Sequence, residues 1–265
     1  MFDVKILVRL TRMTTYLYVL ILILPLIFLI SPQSLFSYKT VIIFLANFFL
    51  TTFVYVFNDV EDAEDDYHVL KKRKRNPISN GDLTKKQGYL ISFLLLLIGL
   101  FLLLIISPLV FFPGLVLTLV GFFYSWKPVR LKSIPIMDLI SHAICLGIAQ
   151  FFITYLTFRP FDLFVIPFLM IIIPFSLMEE IFGELKDFDI DKKTRINNTI
   201  QKFGRFNIKN LIITLILVVI IGFTIIFFTI PSEHKTINLS FSLFIGSMAT
   251  YRMNKLLKRY ISLQD

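Results

Sequence analysis

Eight long apolar runs divide this sequence, and they leave few kinds of fold open to it. The runs cover about Thr14–Ile30, Thr40–Phe57, Gly88–Ser107, Leu109–Trp126, Met137–Thr157, Leu163–Phe182, Asn210–Ile230 and a weaker Ile237–Leu257. Most are long enough to cross the hydrocarbon core of a bilayer as a helix. Only 17% of the residues are charged, whereas a soluble domain of this length carries more charge. The pattern predicts an all-α polytopic membrane protein, a bundle of eight or nine transmembrane helices.

The basic residues predict how the helices are oriented. With the N-terminus inside, 24 of the 27 Lys and Arg residues fall on the inner side of the membrane. Only Lys39, Arg159 and Lys235 fall outside. By the positive-inside rule, both termini and the long loops are expected to be cytoplasmic. The first run lacks a small-residue cleavage site, so we interpret it as a membrane span rather than a signal peptide.

The net charge and the scarcity of Cys and His exclude several classes of function. Cys145 is the only cysteine, so an intramolecular disulfide is impossible, and three histidines are too few for a His-rich metal site. The net charge of +9 follows the topology, which argues against nucleic acid as the partner.

A dense acidic cluster follows the second apolar run. Six of the eight residues from Asp59 to Asp66 are carboxylates. If the helix continues past Asn58, then Asp59, Asp62 and Asp66 share one face, while Glu61, Glu64 and Asp65 point elsewhere. Three carboxylates on one face suit a hard divalent ion, and Mg²⁺ is typically bound by one or two carboxylates and substrate phosphates. A solvated acidic end of a membrane helix explains this stretch equally well.

A second acidic cluster ends the sixth run. Glu184, Asp187 and Asp191 have helical spacing, and four spans separate them from the first cluster. Four spans restore orientation, so both clusters are expected at the same membrane face. The chain then reads as a single domain, 1–265, with parallel repeat halves of about 1–126 and 127–265. Two facing carboxylate sets could hold Mg²⁺ ions that bridge a diphosphate.

Basic residues flank both clusters. They are Lys71–Arg75 after the first, Lys186, Lys192, Lys193 and Arg195 around the second, and Lys127, Arg130 and Lys132 in the loop that follows the fourth run. Such cations could neutralise charge on a metal-bound diphosphate. Positive-inside placement with attraction to anionic lipid explains the 71–75 run as a whole more simply.

The motifs resemble those of the UbiA superfamily of intramembrane prenyltransferases. Asn58, Asp59, Asp62 and Asp66 match its Asn-Asp-x-x-Asp-x-x-x-Asp motif, and Lys186, Asp187 and Asp191 match its second motif. Further similarities are Tyr124-Ser125 with Pro128, Arg130 and Lys132, the segment from Arg75 to Gly81, and Asn198-Thr199 with Gly204. Two features depart from the family pattern: Asn76 interrupts its usual Arg-Pro pair, and the chain shows eight runs where the family usually has nine spans.

The resemblance implies Mg²⁺-dependent transfer of a prenyl group from an allylic prenyl diphosphate to a lipophilic acceptor, with release of diphosphate. It assigns the catalytic positions to Asn58, Asp59, Asp62, Asp66, Asp187 and Asp191. The five aspartates would bind the metal, and the diphosphate would be bound by Arg75, Arg130, Lys132, Lys186 and Tyr124. The acceptor could be a quinone-type aromatic compound, an isoprenoid lipid or a carotenoid-like polyene.

Three questions stay open at the level of sequence. A divalent-cation transporter or channel with an acidic cytoplasmic vestibule is the alternative function, although it would need ionisable residues deep in the spans. Asp138, Ser141 and His142 could meet an acceptor head group or bond to neighbouring helices. The many Phe residues could line a prenyl chamber, but any single one is better explained by packing or lipid contact.

Overall fold

The structure is a computed structural model that describes residues 4–12, 23–194, 196–204 and 208–229, together with Ser247 and Asn254. Over these residues the structure is mostly helical and contains no β-strand. The α-helices are α1 (Val4–Thr11), α2 (Ile23–Ile30), α3 (Tyr38–Glu61), α4 (Ala63–Tyr67), α5 (Leu70–Arg75), α6 (Lys85–Ile106), α7 (Pro108–Ser125), α8 (Met137–Ala143), α9 (Ala149–Phe158), α10 (Val165–Thr194), α11 (Thr199–Phe203) and α12 (Ile208–Thr229). A π-helical turn, Ile144–Ile148, joins α8 to α9.

Among the described residues, six helical segments are long and apolar enough to cross a membrane. They are Tyr38–Glu61, Lys85–Ile106, Pro108–Ser125, Met137–Phe158, Val165–Lys192 and Asn210–Thr229, and they correspond to the second to seventh apolar runs. The prediction of an all-α polytopic membrane protein is thereby confirmed. The first run is described only over Ile23–Ile30, and the eighth lies outside the described residues apart from Ser247 and Asn254. The total of eight or nine spans stays a prediction.

The chain packs as two compact units. The first comprises residues 1–131 and 144–160, and the second comprises residues 132–143 and 161–265. The chain passes from the second unit back to the first at the π-helical turn. The predicted repeat halves, 1–126 and 127–265, are a statement about internal symmetry, which a division into compact units does not test. They stay a prediction.

Helix α3 is the centre of the first unit, because α6 and α7 both pack along it. A Cβ atom on Gly99 of α6 would lie 2.4 Å from a methyl carbon of Leu50, and one on Gly121 of α7 would lie 2.5 Å from Val54. Gly88 meets Val60 in the same way, also at 2.5 Å. A side chain at any of these three positions would therefore force the facing side chain or the helix itself to shift, so glycine allows the close packing.

Local signals set the ends of the helices in the first unit. Ser37 caps α3 by accepting the backbone N–H of Thr40, and Thr84 and Gln87 form a capping box at the start of α6. Ser107 caps α7, and Pro108 occupies its first turn, where no hydrogen-bond donor is needed. The capping box at Thr84 thus marks where the loop after the acidic end of α3 gives way to α6, and Ser37 and Ser107 cap helices at the opposite end of the bundle.

The second unit is built on α10, which packs against α8, α11 and α12. Its buried core includes Met178, Ile181, Leu185, Ile212 and Leu215. The short helix α11 begins at the cap Asn198, whose side chain accepts the backbone N–H of Gln201, and ends at Gly204, whose φ of +79° favours glycine. The second acidic cluster lies along the C-terminal part of α10, beside α11.

Candidate active site

The first acidic cluster lies where α3 gives way to α4. Asp62 caps the end of α3, and α4 starts at the next residue. The backbone N–H of Asp62 donates to Asn58 O at 2.9 Å, and that of Asp66 donates to Asp62 O at 2.8 Å. The i to i−4 pattern therefore continues across the break and preserves the spacing of the motif.

Asp59, the first aspartate of the motif, is fully buried and paired with Arg12. The guanidinium donates to both carboxylate oxygens, with Nε 3.3 Å from Oδ2. Burial, reinforced by the nearby charge of Arg75, lowers the pKa of Arg12 to about 10, so it remains a cation at neutral pH. Sequence reasoning missed Arg12, because nothing in its local pattern marks it as a partner of a residue 47 positions away.

Asp62 is held from two sides. The amide of Asn58 donates to it at 3.0 Å and also to Ser125 Oγ at 2.9 Å, while Arg130 donates to it at 3.0 Å. Arg130 donates to Asp65 as well, at 2.6 Å. The prediction that Asp65 points elsewhere is therefore incomplete, because one guanidinium spans both carboxylates.

The pKa of Arg130 reflects two opposing effects. Burial by itself lowers it, but the charge of Asp62 and the hydrogen bond and charge of Asp65 outweigh burial, and the pKa lies above its ordinary value. Its backbone has a φ of +47°, a region that few residues other than glycine adopt. Arg130 is thus a permanent cation held in a specific backbone conformation at the acidic cluster.

Asp66, the last aspartate of the motif, is bound by Asn76. The Asn76 amide donates to Asp66 at 3.1 Å and to the backbone carbonyl of Asp59 at 2.7 Å. Its carbonyl oxygen accepts the backbone N–H groups of Ile78 and Ser79. Arg75 adds an ion pair with Asp66 at 3.6 Å. Asn76, the residue that interrupts the family's Arg-Pro pair, is fully buried and ties the loop to both ends of the motif.

Glu61 and Glu64 form the outer part of the cluster. Glu61 accepts the Tyr89 hydroxyl at 2.5 Å and the backbone N–H of Lys127 at 3.0 Å. Glu64 binds Lys127 at 2.7 Å and Lys85 at 2.5 Å. The hydrogen bond from Lys127, and then that from Lys85, lowers the pKa of Glu64 to about 2, and the same contact raises the pKa of Lys127. These two glutamates fasten the loops that surround the motif.

The remaining predicted residue of the first unit is Tyr124, which is half-buried and precedes the Ser125 that binds Asn58. The first unit therefore brings together Asn58, Asp59, Asp62, Asp66, Arg75, Tyr124 and Arg130 from the sequence prediction. Lys132, Lys186, Asp187 and Asp191 belong to the second unit.

The predicted residues on α10 differ in exposure. Lys186 is exposed and Asp187 is half-buried, whereas Asp191 is buried and accepts the Asn198 amide at 3.0 Å. Lys132 is half-buried. The second motif is thereby connected to the loop that begins at Asn198.

Two further carboxylates bind the first turn of α11. Asp138, fully buried, accepts both the backbone N–H and the hydroxyl of Thr199. Glu184 accepts the backbone N–H of Ile200 at 3.0 Å. Asp138 therefore has a structural partner, which answers one question that the sequence left open.

The second unit also contains a group of three polar side chains, His142, Glu180 and Ser176. His142 Nε2 is 3.4 Å from Glu180 Oε2, and His142 Nδ1 is 3.3 Å from the hydroxyl oxygen of Ser176. Among the described residues, no three His, Cys, Asp or Glu side chains of either unit form a ready-made metal cage.

The family model for the UbiA prenyltransferase family matches residues 13–262, nearly the whole chain. The chain belongs to this family. The resemblance inferred from the two aspartate motifs is thereby confirmed, and membership together with six apolar helices makes the chain an integral membrane protein. No match was found among curated proteins.

Solved structures show the same fold. A UbiA homologue from Archaeoglobus fulgidus bound to DMAPP and Mg²⁺ has a TM-score of 0.74 and 20% identity, over 94% of this chain and 86% of that one. The same homologue bound to GPP and Mg²⁺ gives 0.73 and 19%, over 97% and 94%. A structure concerning digeranylgeranylglyceryl phosphate synthase gives 0.65 and 19%, over 98% and 97%. At such identities the likeness establishes the fold alone.

Proposed function

We propose that this chain is a Mg²⁺-dependent intramembrane prenyltransferase that moves a prenyl group from an allylic prenyl diphosphate to a lipophilic acceptor and releases diphosphate. Family membership supports the reaction class. The observation that carries the proposal is the set of motif aspartates at the end of α3, each bound by arginine or amide groups. The acceptor belongs to one of the three classes that the sequence left open.

The donors at this cluster fit Mg²⁺. Asp59, Asp62 and Asp66 supply carboxylate oxygens, the donors that a hard cation prefers, and each contacts an arginine guanidinium group. A complete protein cage is not needed, because substrate phosphates normally supply part of the coordination of Mg²⁺. We propose Asp59, Asp62 and Asp66 of the first unit and Asp187 and Asp191 of the second as ligands. When bound, Mg²⁺ would neutralise the charge that builds up on the leaving diphosphate.

The basic residues and the amide have complementary roles in this proposal. Arg75 and Arg130 already lie against the motif carboxylates, so a diphosphate bound there would meet guanidinium donors without a large rearrangement. Lys132, Lys186 and Tyr124 would add donors. The Asn58 amide donates both to Asp62 and to Ser125 and so fixes the direction of the Asp62 carboxylate. We further propose that both termini and these loops face the cytoplasm, as the distribution of basic residues predicts.

Purified protein in detergent, incubated with Mg²⁺, radiolabelled geranylgeranyl diphosphate and lipids from cells in which the gene has been deleted as the source of acceptor, tests the proposal. We expect Mg²⁺-dependent release of diphosphate that falls on the order of 100-fold or more in Asp62→Asn and in Asp187→Asn. Asp82→Asn is the matched control, because Asp82 is a loop carboxylate paired with Arg9 and outside the motifs. Divalent-ion flux through protein in liposomes, without diphosphate release, would instead favour the transporter alternative.

A further inference from the structure

We propose that His142 is the proton acceptor of the transfer reaction, with Glu180 as the residue that positions it. This inference rests on the proposed function and adds to it a group that the aspartate motifs do not supply. Both residues belong to the second unit, on α8 and α10.

Prenyl transfer requires a proton to leave. The bond between C1 of the prenyl chain and the diphosphate oxygen breaks, and diphosphate departs with the electron pair. A new bond forms between C1 and a carbon or oxygen atom of the acceptor. The hydrogen that this atom carried must then depart as a proton, which a neutral imidazole can take up to become imidazolium. A protein base that lies beside the acceptor can receive this proton.

His142 is the only histidine in the described membrane-spanning helices. Its two ring nitrogens have different neighbours, the Glu180 carboxylate at Nε2 and the Ser176 hydroxyl at Nδ1. The Ser176 hydroxyl is also 3.4 Å from the backbone carbonyl of His142. When the ring is doubly protonated, Nε2–H donates to Glu180, Nδ1–H donates to Ser176, and Ser176 donates to the carbonyl. In the neutral ring one nitrogen carries no hydrogen, and that nitrogen takes up the proton.

The depth of the group along α10 agrees with this role. Glu180 precedes Asp187 by seven residues, which places it on the same helical face about 10 Å further from the end of the helix. If Asp187 helps to bind the metal and the diphosphate, the prenyl carbon and the acceptor lie on the apolar side of Asp187. His142 therefore lies on α8 at the level where the proton is released.

Other ionisable groups on these helices have different partners. Asp138 and Glu184 accept backbone N–H groups of α11, where Thr199 and Ile200 need them. Glu179 is the neighbour of Glu180 on α10 and is half-buried. The side chains of His142 and Glu180 are each 15% exposed, so an acceptor can reach the pair.

Labelling of native lipid by the wild-type protein and by His142→Ala tests the inference. Protein is reconstituted with radiolabelled geranylgeranyl diphosphate, Mg²⁺ and lipids extracted from cells in which the gene has been deleted, because these lipids contain the acceptor. We expect His142→Ala to label lipid on the order of 100-fold more slowly. Added imidazole should restore part of the rate, which would not happen if the side chain only packed. Binding of a non-transferable geranylgeranyl thiodiphosphate with Mg²⁺ should be unchanged.

The isosteric variant Glu180→Gln keeps the shape of the site and should slow labelling on the order of 10-fold. Its affinity for the thiodiphosphate analogue should equal that of the wild type. His68→Ala is the matched control, because His68 is an exposed loop histidine. Labelling by His142→Ala at the wild-type rate, or a loss that imidazole does not restore, would overturn the inference. Absence of Mg²⁺-dependent labelling by the wild type would instead contradict the proposed function itself.

Discussion

The two acidic clusters are held by different kinds of partner. In the first unit the carboxylates of the motif contact cationic side chains, with Arg12 on Asp59 and Arg130 on Asp62. In the second unit Asp138, Glu184 and Asp191 accept backbone N–H groups, a hydroxyl and an amide of the segment that begins at Asn198. The first cluster is therefore joined to its loops by ion pairs as well as by neutral donors such as Asn76, whereas the hydrogen bonds described for the second cluster come from neutral donors. We therefore expect mutation, salt and pH to change the stability of the folded protein differently at the two clusters.

The largest effect is expected at Asp138. Asp138→Ala leaves the buried N–H and hydroxyl of Thr199 without an acceptor, and we expect a loss of about 3 kcal/mol in the free energy of unfolding. Thermal unfolding in detergent measures it, and amide hydrogen exchange at Thr199 should accelerate. Asp138→Asn, which retains one carbonyl acceptor, is the control and should lose about 1 kcal/mol. Equal stability of Asp138→Ala and the wild type would show that this cap does not support the second unit.

An intermediate effect is expected at Arg130 in the first unit. Arg130→Gln removes the cation that spans Asp62 and Asp65, and we expect a loss of about 2 kcal/mol. Arg130→Lys should recover only part of it, because an ammonium group cannot reproduce the geometry of the guanidinium. Unfolding midpoints with and without added salt measure both variants. High salt should reduce the difference in unfolding midpoint between the wild type and Arg130→Gln more than the difference between the wild type and Asp138→Ala. Equal reductions would contradict the comparison.

The smallest effect is expected at Glu64. Its pKa in the folded protein is about 2, below the ordinary 4.5, because Lys127 and Lys85 donate to it. A depressed carboxyl pKa stabilises the fold above pH 4.5, and this contribution is lost as the pH falls from 4.5 towards 2. The difference in unfolding midpoint between the wild type and Glu64→Gln should therefore be small at pH 7 and vanish near pH 2. A difference that grows on acidification would contradict the assignment.

The sequence predicted most of what depends on local spacing. The apolar runs indicated the all-α membrane fold, and the two motifs indicated the family, both of which are confirmed. Asp62 and Asp66 also keep the predicted helical spacing. The backbone hydrogen bonds from Asp62 to Asn58 and from Asp66 to Asp62 continue across the break after Glu61. The roles of the individual site residues stay predictions.

What the sequence did not predict depends on contacts between distant positions. Arg12 reaches Asp59 from before the first apolar run, and Asn76, which looked like a defect in a motif, binds Asp66 and the backbone of Asp59. Partners of this kind follow from how helices pack, and no local pattern specifies them. Phe57 illustrates the same limit: it is 1% exposed and stacks on Phe122 at 4.8 Å, so it belongs to the core of the first unit.

The glycines that meet α3 have one more consequence. Leu50, Val54 and Val60 each sit in a notch made by a glycine of a neighbouring helix, so α3 can neither slide along its axis nor turn about it without a steric clash. The contacts run from Leu50 in the middle of α3 to Val60 at its acidic end, and together they act as a mechanical stop. They set the height at which the helix presents its acidic tip, so the position of Asp62 depends on apolar residues that carry no charge themselves.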